Sequence, residues 1–179
     1  MKMPAKHTGI NRRARVLLPL LLAGCLPLTL FAQAEIHVTG AKITEVGIYE
    51  SKVVTDQTNS VGIKLEGLDN FKLVLSTTNV PARIGITFGF RYEILGTPTN
   101  APIILTMVTK HPPIRNLVTG QDETTDTYPL KSWIGKTYTS CSFDEKSDCV
   151  PGTWTFEVWY EGKELCEQSF GVTPDQGSR

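Results

Sequence analysis

The chain is short of cysteine, of histidine and of any run of like charge, and each shortage removes a class of function. Four cysteines and three histidines occur in 179 residues. No two cysteines form a Cys-x-x-Cys pair and no histidine lies close to them in sequence, so a thiolate zinc site lacks its ligands. Charged residues make up 20%, with 18 Lys and Arg against 18 Asp and Glu, and there is no low-complexity tract; this composition does not suit a disordered or polyelectrolyte chain. A Gly-x-Ser-x-Gly elbow, a phosphate-cradling glycine loop and a His-Glu-x-x-His helix are all missing. No stretch carries a helical apolar stripe with caps at both ends.

What is present begins with a leader. The five charges before residue 35 (Lys2, Lys6, Arg12, Arg13 and Arg15) are all positive, and they precede an apolar run from Val16 to Phe31 that ends in Ala32-Gln33-Ala34. A basic segment, a short apolar core broken by Pro19 and Pro27, and a small-x-small terminus predict a signal peptide over residues 1–34 rather than a membrane span. Leu22-Ala23-Gly24-Cys25 offers a second processing site, in which a lipidated Cys25 would become the N-terminus. The apolar Leu26 to Phe31 that follows is not the polar tether of a lipoprotein, so cleavage after Ala34 is the preferred reading. A periplasmic or secreted protein follows from the first, and a membrane-anchored lipoprotein from the second.

From Glu35 onward the chain has 13 basic and 18 acidic residues. The basic ones are spread singly, as at Lys64, Lys72, Arg83 and Arg91, which disfavours a nucleic-acid partner. Three cysteines remain in an oxidising compartment. Cys141 and Cys149 flank a short polar loop whose closure by a disulfide is the favoured pairing, with Cys166 paired to either as the alternatives. The leftover thiol permits a dimer as well as a monomer.

The dominant period is two. Ile84, Ile86, Phe88, Phe90, Tyr92 and Ile94 alternate with smaller or polar residues and predict a long strand with one aromatic face. Val61, Ile63 and Leu65 repeat the pattern, as do Phe71, Leu73 and Leu75. Trp154, Phe156, Val158 and Tyr160, then the turn at Glu161 to Glu164 and the return from Leu165 to Val172, predict a C-terminal hairpin over residues 153–172. His111-Pro112-Pro113 predicts a turn or an extended edge segment, because consecutive prolines remove ladder donors. The acidic stretch from Thr119 to Thr127 matches no calcium loop and reads as a solvated loop. Seven or eight strands across residues 35–172 predict an all-β antiparallel sandwich of two sheets, with an open barrel as the alternative and residues 173–179 as a flexible tail.

Several of these segments recur in one order: Thr87-Phe88-Gly89-Phe90-Arg91-Tyr92, His111-Pro112, Thr119-Gly120, Pro151-Gly152-Thr153-Trp154-Thr155-Phe156-Glu157-Val158 and Gln168-Ser169-Phe170-Gly171-Val172. From about Ile43 to Val172 the chain resembles an exported bacterial family known as domain of unknown function 3859. The resemblance implies an immunoglobulin-like sandwich in an exported protein. It implies no activity, cofactor or catalytic residue.

Candidate chemistry is sparse. His37 lies beside the cleavage point and His111 beside two prolines, and neither has a recognisable nucleophile in its neighbourhood of sequence. The pairs Glu157 with Glu161 and Glu164 with Glu167 read as solubility groups on an outward face. No catalytic residue, cofactor or metal ligand is assigned, and a hydrolase of unrecognised type is the distant alternative. Binding is the better class. Alternation turns Trp159 to the side opposite Trp154, Phe156 and Val158, where it can stack on a sugar or anchor a protein. Gly85 and Gly89 leave a bare strip on the outer face of the long strand. The expectation is a non-enzymatic envelope domain that binds a protein or polysaccharide partner.

Overall fold

Side-chain alternation builds nine strands among the described residues: β1 (His37–Thr58), β2 (Lys64–Leu75), β3 (Asn79–Ala82), β4 (Thr87–Thr97), β5 (Pro102–Arg115), β6 (Asp122–Trp133), β7 (Gly135–Ser142), β8 (Gly152–Tyr160) and β9 (Lys163–Pro174). The structure, a computed structural model, describes residues 35–58, 64–116, 119–175 and 177, with backbone alone at 51–58 and 64–70. The leader with Cys25, and the positions Val61 and Ile63, lie outside the described residues.

Two sheets result, in the orders β2-β1-β4-β7 and β3-β9-β8-β5-β6. All neighbours are antiparallel except β3 and β9, which run parallel with Asn79 opposite Gly171. The tail is shorter than the sequence predicts, because Thr173 and Pro174 still pair with Pro81 and Ala82. The expected C-terminal hairpin forms. Its turn takes positive φ at both Glu161 (48°) and Gly162 (79°), the backbone twist that joins adjacent antiparallel strands by two residues.

The inward row of β4, made of Phe88, Phe90, Tyr92 and Ile94, packs against Leu105 and Met107 of β5, Trp154, Phe156 and Val158 of β8, and Phe170 and Val172 of β9. Phe88 sits at the centre, with ring centroids 5.1 Å from Phe143, 5.2 Å from Phe170, 5.7 Å from Phe156 and 5.9 Å from Trp154. The edge-to-face geometry with Trp154, Phe156 and Phe170 suits ring quadrupoles, and each such pair adds about 0.5–1.5 kcal/mol beyond burial. Here the sheets meet as a sandwich.

The outer face of the four-stranded sheet differs from the bare strip expected of Gly85 and Gly89. Gly85 precedes β4, in a turn at φ 86° where its N–H donates to the Phe143 carbonyl. Gly89 is in β4, opposite Gly47 of β1 and Ser140 of β7, and it is buried. Register puts that glycine pair in the row between Tyr49 and Tyr138, so no side chain separates the rings that stack across it. Phe71 of β2 lies 3.9 Å from Tyr49 and 4.4 Å from Tyr138. Arg91 crosses the same surface: its Nη2 donates to the Phe71 carbonyl and its Nε pairs with Glu45 at 3.2 Å. The β1–β2 register skips Phe71 at an irregularity between Glu50 and Lys52, which leaves that carbonyl for the guanidinium.

Gly89 therefore has no room for a side chain, since a Cβ there would collide with the Thr139 carbonyl of β7, whereas one at Gly171 would meet only Asn79 Oδ1 at 3.5 Å. Gly89→Ala is expected to cost about 1–3 kcal/mol in urea unfolding. Gly171→Ala is expected to stay within about 0.5 kcal/mol of the parent. Equal midpoints for the two variants would contradict this packing.

Candidate functional site

Strand parity sorts the five-stranded sheet into an inner row facing the core and an outer row facing away from it. Outer positions are Pro129, Lys131 and Trp133 on β6, Pro102, Ile104, Thr106 and Lys110 on β5, and Glu157 and Trp159 on β8. Trp133 lies opposite Pro102, Ile104 opposite Lys131, and Thr106 opposite Trp159. Each step between Trp133, Ile104 and Trp159 is thus a cross-strand diagonal, roughly 7–8 Å, and the three form one apolar line across β6, β5 and β8. Ile104 is 63% exposed and Trp133 49%, while Trp159 is half-buried. The expectation for Trp159 extends to two residues that the period-two reading passed over. Ile104 carried a signal, for Ile103-Ile104-Leu105 is apolar at both parities and so cannot be half-polar like the other strands.

Trp159 is held in place by a buried carboxylate. Its indole Nε1–H donates to Glu157 Oε2 at 2.8 Å, and Lys110 of β5 pairs with Glu157 Oε1. Burial pushes the Glu157 carboxyl up, but hydrogen bonds from Lys110 and Trp159 outweigh it and hold the group below its ordinary value. Lys110 is held above its own value, chiefly by the hydrogen bond to Glu157. Glu164 and Glu167 bring carboxylate oxygens within 4.8 Å of one another and of Glu157. Of the pairs anticipated as Glu157 with Glu161 and Glu164 with Glu167, three residues, Glu157, Glu164 and Glu167, form one cluster with Lys110 as its counter-ion, and Glu161 is not part of it.

Beside the apolar line lies a cleft of about 580 Å³ lined by Pro102, Ile103, Ile104, Lys131, Ser132, Tyr160 and Glu161. It opens because β8 ends at Tyr160 while β5 continues back to Pro102. The Ser132 hydroxyl is buried and makes no hydrogen bond.

His111 stands elsewhere, at the end of the core where β5 passes β8. Gly152 fits under Pro112, and Pro112 and Pro113 fall at the β5–β6 register shift between Lys110 and Ile114. The prolines thus occupy a central strand, beyond its last pairing with β8. The His111 side chain is 3% exposed, and its ring lies 5.2 Å from the Trp154 ring. Its Nδ1 faces the Pro112 carbonyl at 2.8 Å and its Nε2 faces Asp126 Oδ2 at 3.3 Å. Both partners are acceptors, so the ring satisfies both only as imidazolium, and neither nitrogen is open to serve as a general base. The other acids of the stretch are engaged too: Asp122 with Arg115 and Glu123 with Asn116 and Thr119.

The structure shows no disulfide among the described residues, between Cys141 and Cys149 or otherwise. Cys141 sits on β7 with Sγ 3.8 Å from the Ser142 carbonyl, and the turn after β7 directs Cys149 Sγ–H to the Glu145 carbonyl at 3.5 Å. That turn is closed by its own bonds, Glu145 N–H to Asp148 Oδ2 at 2.9 Å and Cys149 N–H to the Lys146 carbonyl at 3.3 Å, which fix the Cys149 direction. Burial, then the Glu164 charge, pushes the Cys166 thiol up to about 11 and keeps it protonated at neutral pH.

Residues 38–172 match the model of a family described as a domain of unknown function, DUF3859. The chain belongs to this family. A solved structure from Pseudomonas aeruginosa, described as an immunoglobulin-like protein, is 27% identical, aligns with a TM-score of 0.56, and covers 79% of this chain and 99% of its own. No curated protein matches. The DUF3859 sandwich is thus immunoglobulin-like, as the order of motifs implied, and its description supplies no activity to set against the geometry.

The His111 arrangement has a consequence for pH. Burial disfavours the charged ring, but hydrogen bonds to Asp126 and the Pro112 carbonyl, with the charges of Asp126 and Glu123, hold its pKa above the ordinary 6.5. A raised folded-state value means that the stabilisation is complete below the unfolded value and is lost as pH rises through the folded one. Melting temperatures recorded from roughly pH 5 to 9 should fall across this window. Asp126→Asn should flatten that fall, and an unchanged slope would show that the pair does not carry it.

Proposed function

We propose that this DUF3859 protein is an exported, non-catalytic binding domain that takes a protein or polysaccharide partner on the outer face of its five-stranded sheet. The observation that carries the reading is the line of Trp133, Ile104 and Trp159. Most aromatic rings on the strands are gathered into the core or into the Tyr49–Phe71–Tyr138 stack, yet here Trp133, 49% exposed, and the half-buried Trp159 flank Ile104, 63% exposed, on the outer face of one sheet. An apolar line with a polar rim is the composition of a binding surface, and the Trp159 ring is oriented before any partner arrives. Lys110, Lys131 and the Glu157–Glu164–Glu167 cluster supply that rim.

The leader supports export, with cleavage after Ala34 to give Glu35 as the first residue. Lipidation at Cys25 would instead hold the same face close to a membrane. Mass spectrometry of the mature protein should find an unmodified Glu35 terminus, and an acylated Cys25 terminus would reverse that assignment. Affinity capture from an envelope extract should retain a partner on the parent protein and lose at least tenfold of it on Trp133→Ala and on Trp159→Ala, with melting temperatures kept. Full retention by both variants would remove the surface from consideration.

A further inference from the structure

The strand register narrows the partner's chemistry, in an inference that rests on the binding surface just proposed. β5 pairs with β6 almost throughout but with β8 only from Thr106 to Lys110, since the chain leaves β8 at Tyr160 for the turn at Glu161 and Gly162. Residues 102–105 of a central strand therefore have one edge that β8 does not reach. Two observations say which backbone groups face that edge. Ile134 N–H donates across to the Ala101 carbonyl at 3.0 Å, and the β5–β6 register runs without a shift from there to Lys110. Residues 103 and 105 then direct their backbone groups to β6, and residues 102 and 104 direct theirs the other way. Pro129, opposite Thr106, agrees, because a nitrogen without hydrogen fits this position only if it faces away from β5.

Ile104 thus presents an N–H and a C=O, and Pro102 a C=O, to the cleft of about 580 Å³. Ser132, opposite Ile103 on the inner row, lines the core side of the cleft. Lys131 lines the side toward β6 and Glu161 the side toward β8. A donor and an acceptor of one residue, aimed the same way in a sheet, are matched by the same pair on another extended backbone; the hydroxyls of a sugar have no such fixed pairing. We propose that the cleft takes an extended polypeptide segment of a partner protein, which adds a strand to β5 in the space beyond the end of β8. Its backbone pairs with Ile104, an aliphatic side chain lies beside Ile104 and Trp133, and an acidic side chain meets Lys131.

The test pans a random dodecapeptide display library on the purified full-length protein and synthesises the enriched peptides. Enriched sequences should alternate aliphatic residues with an acid, and their binding should slow exchange of the Ile104 amide hydrogen at least tenfold. Methylating the central backbone nitrogens of such a peptide, with side chains unchanged, should weaken it at least tenfold. Ile104→Pro should keep the melting temperature while losing binding by a similar factor, and Lys131→Glu should reverse the preference for an acid. The proposal is overturned by no enrichment, by binding that survives backbone methylation, or by unfolding of Ile104→Pro, which would put that N–H in the β6 ladder. Envelope capture that depends on Trp133 and Trp159 without any peptide enrichment would sustain the binding domain and sink the strand addition. Failure of both would sink both.

Discussion

Phe88 is fully buried on β4, and the rings around it come from three directions: Trp154 and Phe156 from β8, Phe170 from β9 and Phe143 from the segment after β7. β4 is an inner strand, bonded to β1 on one side and β7 on the other, so the ring cannot move without the whole sheet. This contact sets the spacing of the layers and the position of β8. Trp154 in turn carries the imidazole of His111, and the end of β8 decides where β5 is left without a neighbour. Both the ion pair at one end of the sandwich and the open edge at the other are downstream of the same packing.

Three charged groups on the sheets are held by named partners; Glu157 and His111 are buried, while Arg91 stays exposed. Arg91 lies over the Phe71 ring and binds its carbonyl and Glu45; Glu157, 3% exposed, has Lys110 and Trp159; His111 has Asp126 and Pro112. For Glu157 and His111, a charge removed from water without such partners would cost several kcal/mol, so their contacts matter less as added stability than as conditions for burying the chain there at all. They also orient aromatic rings. Two of the three fix an indole or phenyl ring on an outer face.

Period-two alternation from Phe88 to Ile94 and from Trp154 to Val158 was enough to place the core, the hairpin and the two-layer architecture, because burial on one face leaves its mark on every second residue. It could not place what depends on neighbours in space. Gly89 looks exposed when read along β4, but Gly47 of β1 lies opposite it and Thr139 and Ser140 of β7 close over it. The Cys141–Cys149 spacing suits ring closure, yet the direction of a thiol is settled by the turn at 145–148. Trp159 was legible as an outward residue, whereas its line with Ile104 and Trp133 exists only through the β5 pairings. The parallel strand β3 was hidden for the same reason, being four residues long and defined by a partner at the other end of the domain.

That pairing has a bearing on when the domain can close. Asn79 meets Gly171, so the five-stranded layer closes with the last of its strands to be synthesised. Phe88 receives Phe170 and Trp154 from the same late segment. A chain that is still being made has no means of completing its interior early, because the closing piece has not arrived. The topology itself makes closure of both layers wait for the final segment of the chain.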